Sequence, residues 1–450
     1  MPGLSHHASL LLTTLLAIGA LILFIARFKL NAFVGLILAS LFVGLGSGMN
    51  LPDIAKAFQE GVGNTLGFIA IVVGLGTILG KLLAESGGAE VIAQRFVQLF
   101  GTRRVHWALL FVSFIIGLPV FFGVGLVLLI PIVFTIARET RIPLLHLGIP
   151  VVAGLSVAHG LVPPHPGPLF AIEKLEADVG KTIFYSIIIG LPTAIVAGPL
   201  LGSILSRRVS VELGGIGEKL IAQKPPARRP GFALALFTVV LPVLLMLLAT
   251  IADIGLPKTS VVRQWADFIG SPLVAMLIAT LVSFYTFGSI CGFSRAQILK
   301  FTEDCVGPAA MIFLVVGAGG GFSKVLDYSG VDDAISNLAT RWPISPLLLG
   351  WVVAALIRVA VGSATVAVTM ATAIMVPIAA SLPGTNRELL VLAMGAGSLI
   401  LSHLNDGGFW FVKEYYNLSV SQTLRTWTVM ETLISVVALI GVLLLDTLLH

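Results

Sequence analysis

Charge is what this sequence has least of. Of its 450 residues only 11% are Asp, Glu, Lys or Arg, against about 25% in an ordinary soluble domain. A water-soluble enzyme and a nucleic-acid binder are therefore excluded as defaults. Cysteine is nearly missing. Cys291 and Cys305 are too few for a disulfide framework and have no other soft ligands at metal spacing, so they read as core thiols. A basic stretch before the first apolar run, Leu10 to Phe28, is also missing, and Arg27 and Lys29 follow it instead. That run reads as a retained helix and not as a cleaved leader. Polar intervals are rare too. The longest, Ser206 to Gly231, ends on a basic, proline-rich cluster and reads as a cytoplasmic linker. Ala89 to Phe100 and Ser294 to Glu303 read as short interfacial or connecting helices.

What fills the chain is apolar sequence, 57% of it. A helix needs about 20 apolar residues to cross the hydrocarbon layer. Twelve segments qualify as candidates: Leu10 to Phe28, Ala32 to Met49, Thr65 to Leu83, Trp107 to Ile136, Leu144 to Ala171, Ile183 to Leu205, Phe232 to Ile251, Pro272 to Phe287, Gly307 to Phe322, Ile344 to Ala380, Glu388 to Val412 and Leu424 to Leu445. The expected fold is an all-α polytopic membrane protein.

Four segments are irregular. Trp107 to Ile136 and Ile344 to Ala380 are too long for one simple crossing, and each has small residues near its middle, at Gly123-Val124-Gly125 and Gly362-Ser363-Ala364-Thr365. Both read as hairpins that enter and leave the membrane on one side. Each is followed by a stretch that a helix in lipid does not tolerate: His159 to Pro168, with four prolines, and His403-Leu404-Asn405-Asp406-Gly407-Gly408. Proline removes a donor and clashes with the preceding turn, and such backbone is acceptable only where it faces a cavity or is buried in protein.

The irregularities recur. Gly74, Gly76, Lys81, Leu83, Ser86 and Gly87 match Gly317, Gly319, Lys324, Leu326, Ser329 and Gly330 at an offset of 243; Gly123 matches Gly362 at 239 and His159 matches His403 at 244. This reads as an internal duplication. The basic residues from Arg27 to Arg229 share one side only if the first long run is a hairpin. The count then places the N-terminus outside and inverts the second copy, which is the pattern of a secondary transporter. The expected organisation is scaffold helices over 1–60, a first repeat over 61–205, the linker over 206–230, connecting helices over 231–304 and a second repeat over 305–450. Hairpins 107–138 and 344–380, with broken segments 144–178 and 388–414, form the transport domain.

Candidate site residues lie at these breaks. Gly362, Ser363 and Thr365 offer open backbone and hydroxyls, while Gly123 and Gly125 offer backbone alone; helix N-termini there would attract an anion. Arg358 is an arginine inside an apolar run, either a partner for Asp406 or a carboxylate receptor. His159, His165 and His403 are three of only eight histidines, and imidazole changes charge near neutral pH. Asp406 is the one acid in the two break stretches, His159 to Pro168 and His403 to Gly408, and is flanked by Asn405 and Gly407. Ser156, His159 and Asp406 make a catalytic triad only on paper, because the serine has no nucleophile-elbow context.

The stretches 64–88, 158–168, 357–369 and 402–410 together make the sequence similar to the gluconate permease family of bacterial inner-membrane sugar-acid symporters, over nearly the whole chain. The resemblance implies an elevator-type transporter of two inverted repeats that carries gluconate or a related sugar acid with protons. It implies no cofactor and no metal, membrane lipids and copies of the same chain as partners, and no nucleic acid. Substrate would lie near Gly123, Gly362, Pro163 and Asn405 to Gly407. The alternatives are a permease for D-serine or another small hydroxy acid and, from another class, an organic-anion channel. On this reading Asp406→Asn weakens uphill uptake more than exchange.

Overall fold

The computed structural model describes residues 6–211, 228–331, 345–382 and 384–449. The described residues are helical between short turns, in the order α1 (His6–Ala26), α2 (Ala32–Gly46), α3 (Leu51–Glu85), α4 (Gly88–Phe100), α5 (Val105–Gly117), α6 (Phe122–Thr140), α7 (Leu144–Leu161), α8 (Pro166–Leu175) and α9 (Val179–Ile195), which runs on through a π turn into α10 (Leu201–Arg208). There follow α11 (Phe232–Gly255), α12 (Val261–Gly270), α13 (Pro272–Ser283), α14 (Arg295–Asp304), α15 (Val306–Tyr328), α16 (Pro346–Val361), α17 (Ala364–Ser381), α18 (Arg387–Gly397), α19 (Gly407–Tyr415), α20 (Val420–Thr423) and α21 (Val429–Leu449). Nine helical stretches among the described residues are long and apolar enough to cross a membrane, or ten if the sharply bent α4–α5 pair counts as one. The protein is a multi-pass membrane protein. Most of the linker, residues 212–227, lies outside the described residues.

Burial separates centre from rim. The broken stretch Leu144–Leu175 is 89% buried over its apolar window, against 22% for Val420–Leu449. The first is therefore the middle of the molecule and the second its lipid-facing edge. Exposed Leu248, Ile251, Ile440 and Leu444 belong to that edge. In water such a surface would be an association site; in a bilayer it meets acyl chains.

The duplicated motif has a local structural meaning. Ser86 and Ser329 close α3 and α15, and their hydroxyls donate to Leu83 O at 3.1 Å and Leu326 O at 2.7 Å. Gly87 and Gly330 then turn the chain with φ of +69° and +75°, a conformation that penalises side chains. Lys81 and Lys324 each pair at 2.7 Å with an acid three or four residues on. The motif is thus a helix stop, used twice. After α3 come α4, the pairs α5–α6 and α7–α8, each joined by a break, and the long α9–α10; after residues 332–344, which lie outside the described residues, come the pairs α16–α17 and α18–α19, each joined by a break, and then α20 and α21. α3 and α15 also pack closely against each other, at glycines well away from the stop at Gly87. A Cβ on Gly61 would meet the backbone of Gly320 and Gly321, so α3 and α15 cross where one side has no side chain.

The structure differs from the sequence reading in three places. α3 begins at Leu51 and not near Thr65, and its 35 residues span about 52 Å at 1.5 Å per residue. Hydropathy registers only the part in hydrocarbon, whereas Asp53, Lys56 and Glu60 continue the helix beyond it. α12 was not anticipated. It is a ten-residue amphipathic helix with Trp265 and Phe268 61% and 58% exposed, which suits the membrane interface but is too short and polar for a hydropathy scan. The third difference is the register of the first hairpin. The chain breaks at Leu118 to Phe121, and Gly123 sits in the first turn of α6. α6 and α17 start 242 residues apart, at Phe122 and Ala364. At that spacing Gly123 falls level with Thr365 and not with Gly362, so the offset of 239 between the two glycines does not follow the helix starts.

Candidate functional site: a polar cavity where the breaks meet

Four helix breaks organise the site. Pro119 cannot donate to the preceding turn, which ends α5. Gly362 ends α16 with φ +79°, where a Cβ would run into the Asn405 backbone. Ser363 then caps α17, its hydroxyl accepting from Val366 N. α7 gives way at Val162 to a four-residue turn with a cis Pro163–Pro164 bond, and α8 restarts at Pro166. α18 gives way after Gly397, and nine residues pass before α19 restarts at Gly407. The second of these two breaks is longer than the first by five residues. His159 consequently lies inside α7, whereas His403 lies in open chain. The positional equivalents are instead His165 and Asp406, which cap α8 and α19.

Three of these breaks open on one cavity of about 750 Å³, within the range of small-molecule sites. Its wall includes the first turns of α6 (Phe122, Gly123, Val124), α17 (Ala364, Thr365) and α19 (Gly407, Gly408). Three helix N-termini with free N–H groups and partial positive charge therefore face one space. Of the residues selected from sequence, Gly123, His159, Arg358, Gly362, Ser363, Thr365, Asn405, Asp406 and Gly407 line it.

Gly125, Pro163, His165 and His403 do not line it. Gly125 faces Leu155, where a Cβ would lie 2.6 Å from the leucine Cδ2, so it is a packing glycine. His165 is 3% exposed and its Nε2 lies 2.6 Å from Gly117 O, which ties the end of α5 to the start of α8. His403 Nε2 lies 3.1 Å from Val359 O, at the end of α16. These residues hold the breaks in shape from outside the cavity.

The polar lining is only partly satisfied. Arg358, 3% exposed, donates from Nη2 to Asp406 Oδ2 at 2.5 Å. Asp406 also accepts from Ser402 Oγ and, at 2.8 Å, from Gly408 N. Trp427 Nε1 donates to Ser402 Oγ at 2.7 Å, which extends the chain of bonds. Asp406 is thus clamped by three donors and a capping role. Arg358 keeps Nε and Nη1 without partners. Asn405 spends its Nδ2 on Val359 O at 2.9 Å and Ala360 O at 3.2 Å, satisfying carbonyls that end α16, while its Oδ1 has no partner. His159 Nδ1 is likewise buried and unpartnered.

The sequence reading passed over Glu431. It lies in α21, is 1% exposed, lines the cavity, and accepts from Ser156 Oγ. Its second oxygen has no partner, and no cation lies within ion-pair distance among the described residues. Ser156 is thereby engaged with Glu431, and the paper triad with His159 and Asp406 does not form. The signal was present: Glu431 is the one acid in the apolar run Leu424 to Leu445, and an acid inside a membrane segment is a functional candidate by default. The aromatic wall of Phe122, Phe411, Tyr415 and Trp427 was also unforeseen, since each reads in sequence as ordinary apolar filling. Among the described residues no group of His, Cys, Asp or Glu is arranged to hold a metal.

Residues 9–448 match the model of the GntP family permeases. The chain belongs to that family. It is a transporter and not an enzyme. It is 52% identical over 447 residues to the gluconate permease of Pseudomonas aeruginosa, covering 99% of both chains. It is 50% identical over 439 residues to the gluconate permease of Zymomonas mobilis, covering 97% of both. Among solved structures, the YdaH transporter of Alcanivorax borkumensis has a similar fold, with a TM-score of 0.66 at 17% identity over 92% of this chain and 97% of that one.

Proposed function

We propose that this GntP permease takes up gluconate, or a closely related sugar acid, together with protons across the bacterial inner membrane. The observation that carries the substrate class is the set of unspent polar atoms around one cavity. Arg358 Nε and Nη1 are free donors for a carboxylate, and Asn405 Oδ1, His159 Nδ1 and the Ser363 and Thr365 hydroxyls suit a polyhydroxyl chain. A buried polar group left unpaired costs about 1–3 kcal/mol, so such a set persists where a ligand completes it. The aromatic wall would cover the carbon backbone. The names of the two relatives support gluconate within that class.

Proton coupling follows from Glu431. An ionised carboxylate there has no paired cation among the described residues, and Arg358 and Asp406 line the same cavity. A second carboxylate entering the same low-dielectric space repels it. Substrate therefore binds best when Glu431 is protonated, and by linkage its binding draws in a proton. The elements packed against α21 bring few other charges. Arg387 pairs with Glu176, Glu388 accepts from Asp178 N, and His146 lies beside His106; Lys181 and Arg425 are exposed or at helix ends and do not line the cavity. On this reading the two halves are inverted repeats, the hairpins ride in a domain that moves as an elevator, the N-terminus is periplasmic, and copies associate to fix the scaffold.

The direct test is uptake by proteoliposomes. An inward proton gradient should accumulate labelled gluconate, by about tenfold per pH unit for one proton per electroneutral cycle, with unlabelled gluconate competing better than D-serine. Accumulation that ignores the proton gradient and follows sodium would overturn the coupling, and preferential competition by D-serine would overturn the substrate.

A further inference from the structure

A second polar cavity, of about 390 Å³, lies apart from the first, at the corner between α4 and α5, the α6–α7 junction and the end of α10. Arg103 and Arg207 line it, both exposed, together with His106 and His146, half-buried, whose ring centroids are 4.4 Å apart. Ser203 and Ser206 also line it, their hydroxyls donating to Pro199 O and Ser203 O. No acid lines it, and neither arginine makes an ion pair or a side-chain hydrogen bond among the described residues. Lys81, Lys324 and Arg358, by contrast, each pair with an acid.

Two guanidinium groups and two imidazoles make a donor set for a phosphate. What lies beside it selects the source. Leu200 and Ile204 are 49% and 50% exposed, and they precede Arg207 by seven and three residues. They therefore form one outward stripe running from the cavity along the helix. An apolar stripe that begins at a basic pocket fits a lipid whose headgroup phosphate sits between the arginines and whose acyl chain follows the helix. Basic pockets between membrane helices hold anionic headgroups in this way.

We propose that this cavity is a binding site for an anionic phospholipid, pinning the α4–α5 corner to the end of α10. The proposal is independent of which substrate the central cavity carries. It is tested on the purified full-length transporter in neutral detergent, by titrating dioctanoyl phosphatidylglycerol and reading thermal stabilisation and bound lipid by native mass spectrometry. Because Arg103 and Arg207 are exposed, their joint replacement, Arg103→Gln with Arg207→Gln, leaves the core intact. The double variant should need about tenfold more lipid or more, and dioctanoyl phosphatidylcholine should stabilise neither protein. Inorganic phosphate should not displace the lipid. Unchanged affinity in the double variant, or equal binding of phosphatidylcholine, would refute the site. Full displacement by inorganic phosphate at the same concentration as the lipid would refute the lipid assignment, since it would mark a site for the bare anion.

Discussion

Glu431→Gln is expected to abolish accumulation of gluconate driven by a proton gradient while leaving exchange of internal for external gluconate running. Glutamine keeps the shape of the acid and can still accept from Ser156 Oγ, so the packing of α21 against α7 survives. It also imitates the protonated acid permanently. A carrier fixed in that form can bind substrate and cross loaded, but it has no proton to release and no charge change to drive the return. Accumulation should therefore stop at equilibration, with no more gluconate inside than outside. Gluconate affinity, which in the wild type should tighten as pH falls because protonation removes the competing charge, should become flat with pH in the variant. Retained gradient-driven accumulation in Glu431→Gln would remove Glu431 from the coupling.

Arg358 and Asp406 should fail differently. Arg358→Lys keeps the charge but cannot present both the bond to Asp406 and the free Nε and Nη1 donors. Hydrogen bonds to charged groups contribute about 1.5–3 kcal/mol each, so gluconate affinity should fall by about ten- to a hundredfold, in uptake and exchange alike. Asp406→Asn leaves Arg358 buried without its counter-charge, and breaking one side of a buried pair costs about 3–5 kcal/mol. That variant should lower Tm and depress both transport modes together. The sequence alone placed Asp406 among the proton-coupling candidates, which predicts that uphill uptake falls more than exchange. The clamp of three donors argues for the other outcome. The double replacement Arg358→Met with Asp406→Leu should recover most of the lost Tm while remaining inactive, because it removes the unpaired charge and the carboxylate receptor at once. A double variant no more stable than either single one would contradict the structural role of the pair.

The legible part of this protein was its punctuation. Glycine, proline and isolated polar residues inside apolar runs cost too much in lipid to be incidental, so Gly362, Pro163, Asn405 and Asp406 marked real breaks. Gly87 and Gly330 stood out in sequence only as members of a recurring pattern, and both turn the chain after a helix in a left-handed conformation. What sequence could not set was register and facing. Gly123 and Gly125 are two residues apart, yet one lines the cavity and the other packs on Leu155, because successive helical positions point about 100° apart. His165 and His403 sit at breaks as read, but each turns to a carbonyl outside the cavity. Glu431 was missed for the opposite reason: it lies in an unbroken helix, where a scan for irregular backbone has nothing to detect.

The account's central claim is that two separate helix starts, those of α6 and α17, face one bound substrate. With Cys291 and Cys305 replaced by serine, Val124→Cys and Ala364→Cys each place a thiol on the cavity wall from a different break. Gluconate should protect both from a thiol reagent, with the same half-protecting concentration, equal to that for transport. Protection of only one position, or of neither at saturating gluconate, would contradict the claim.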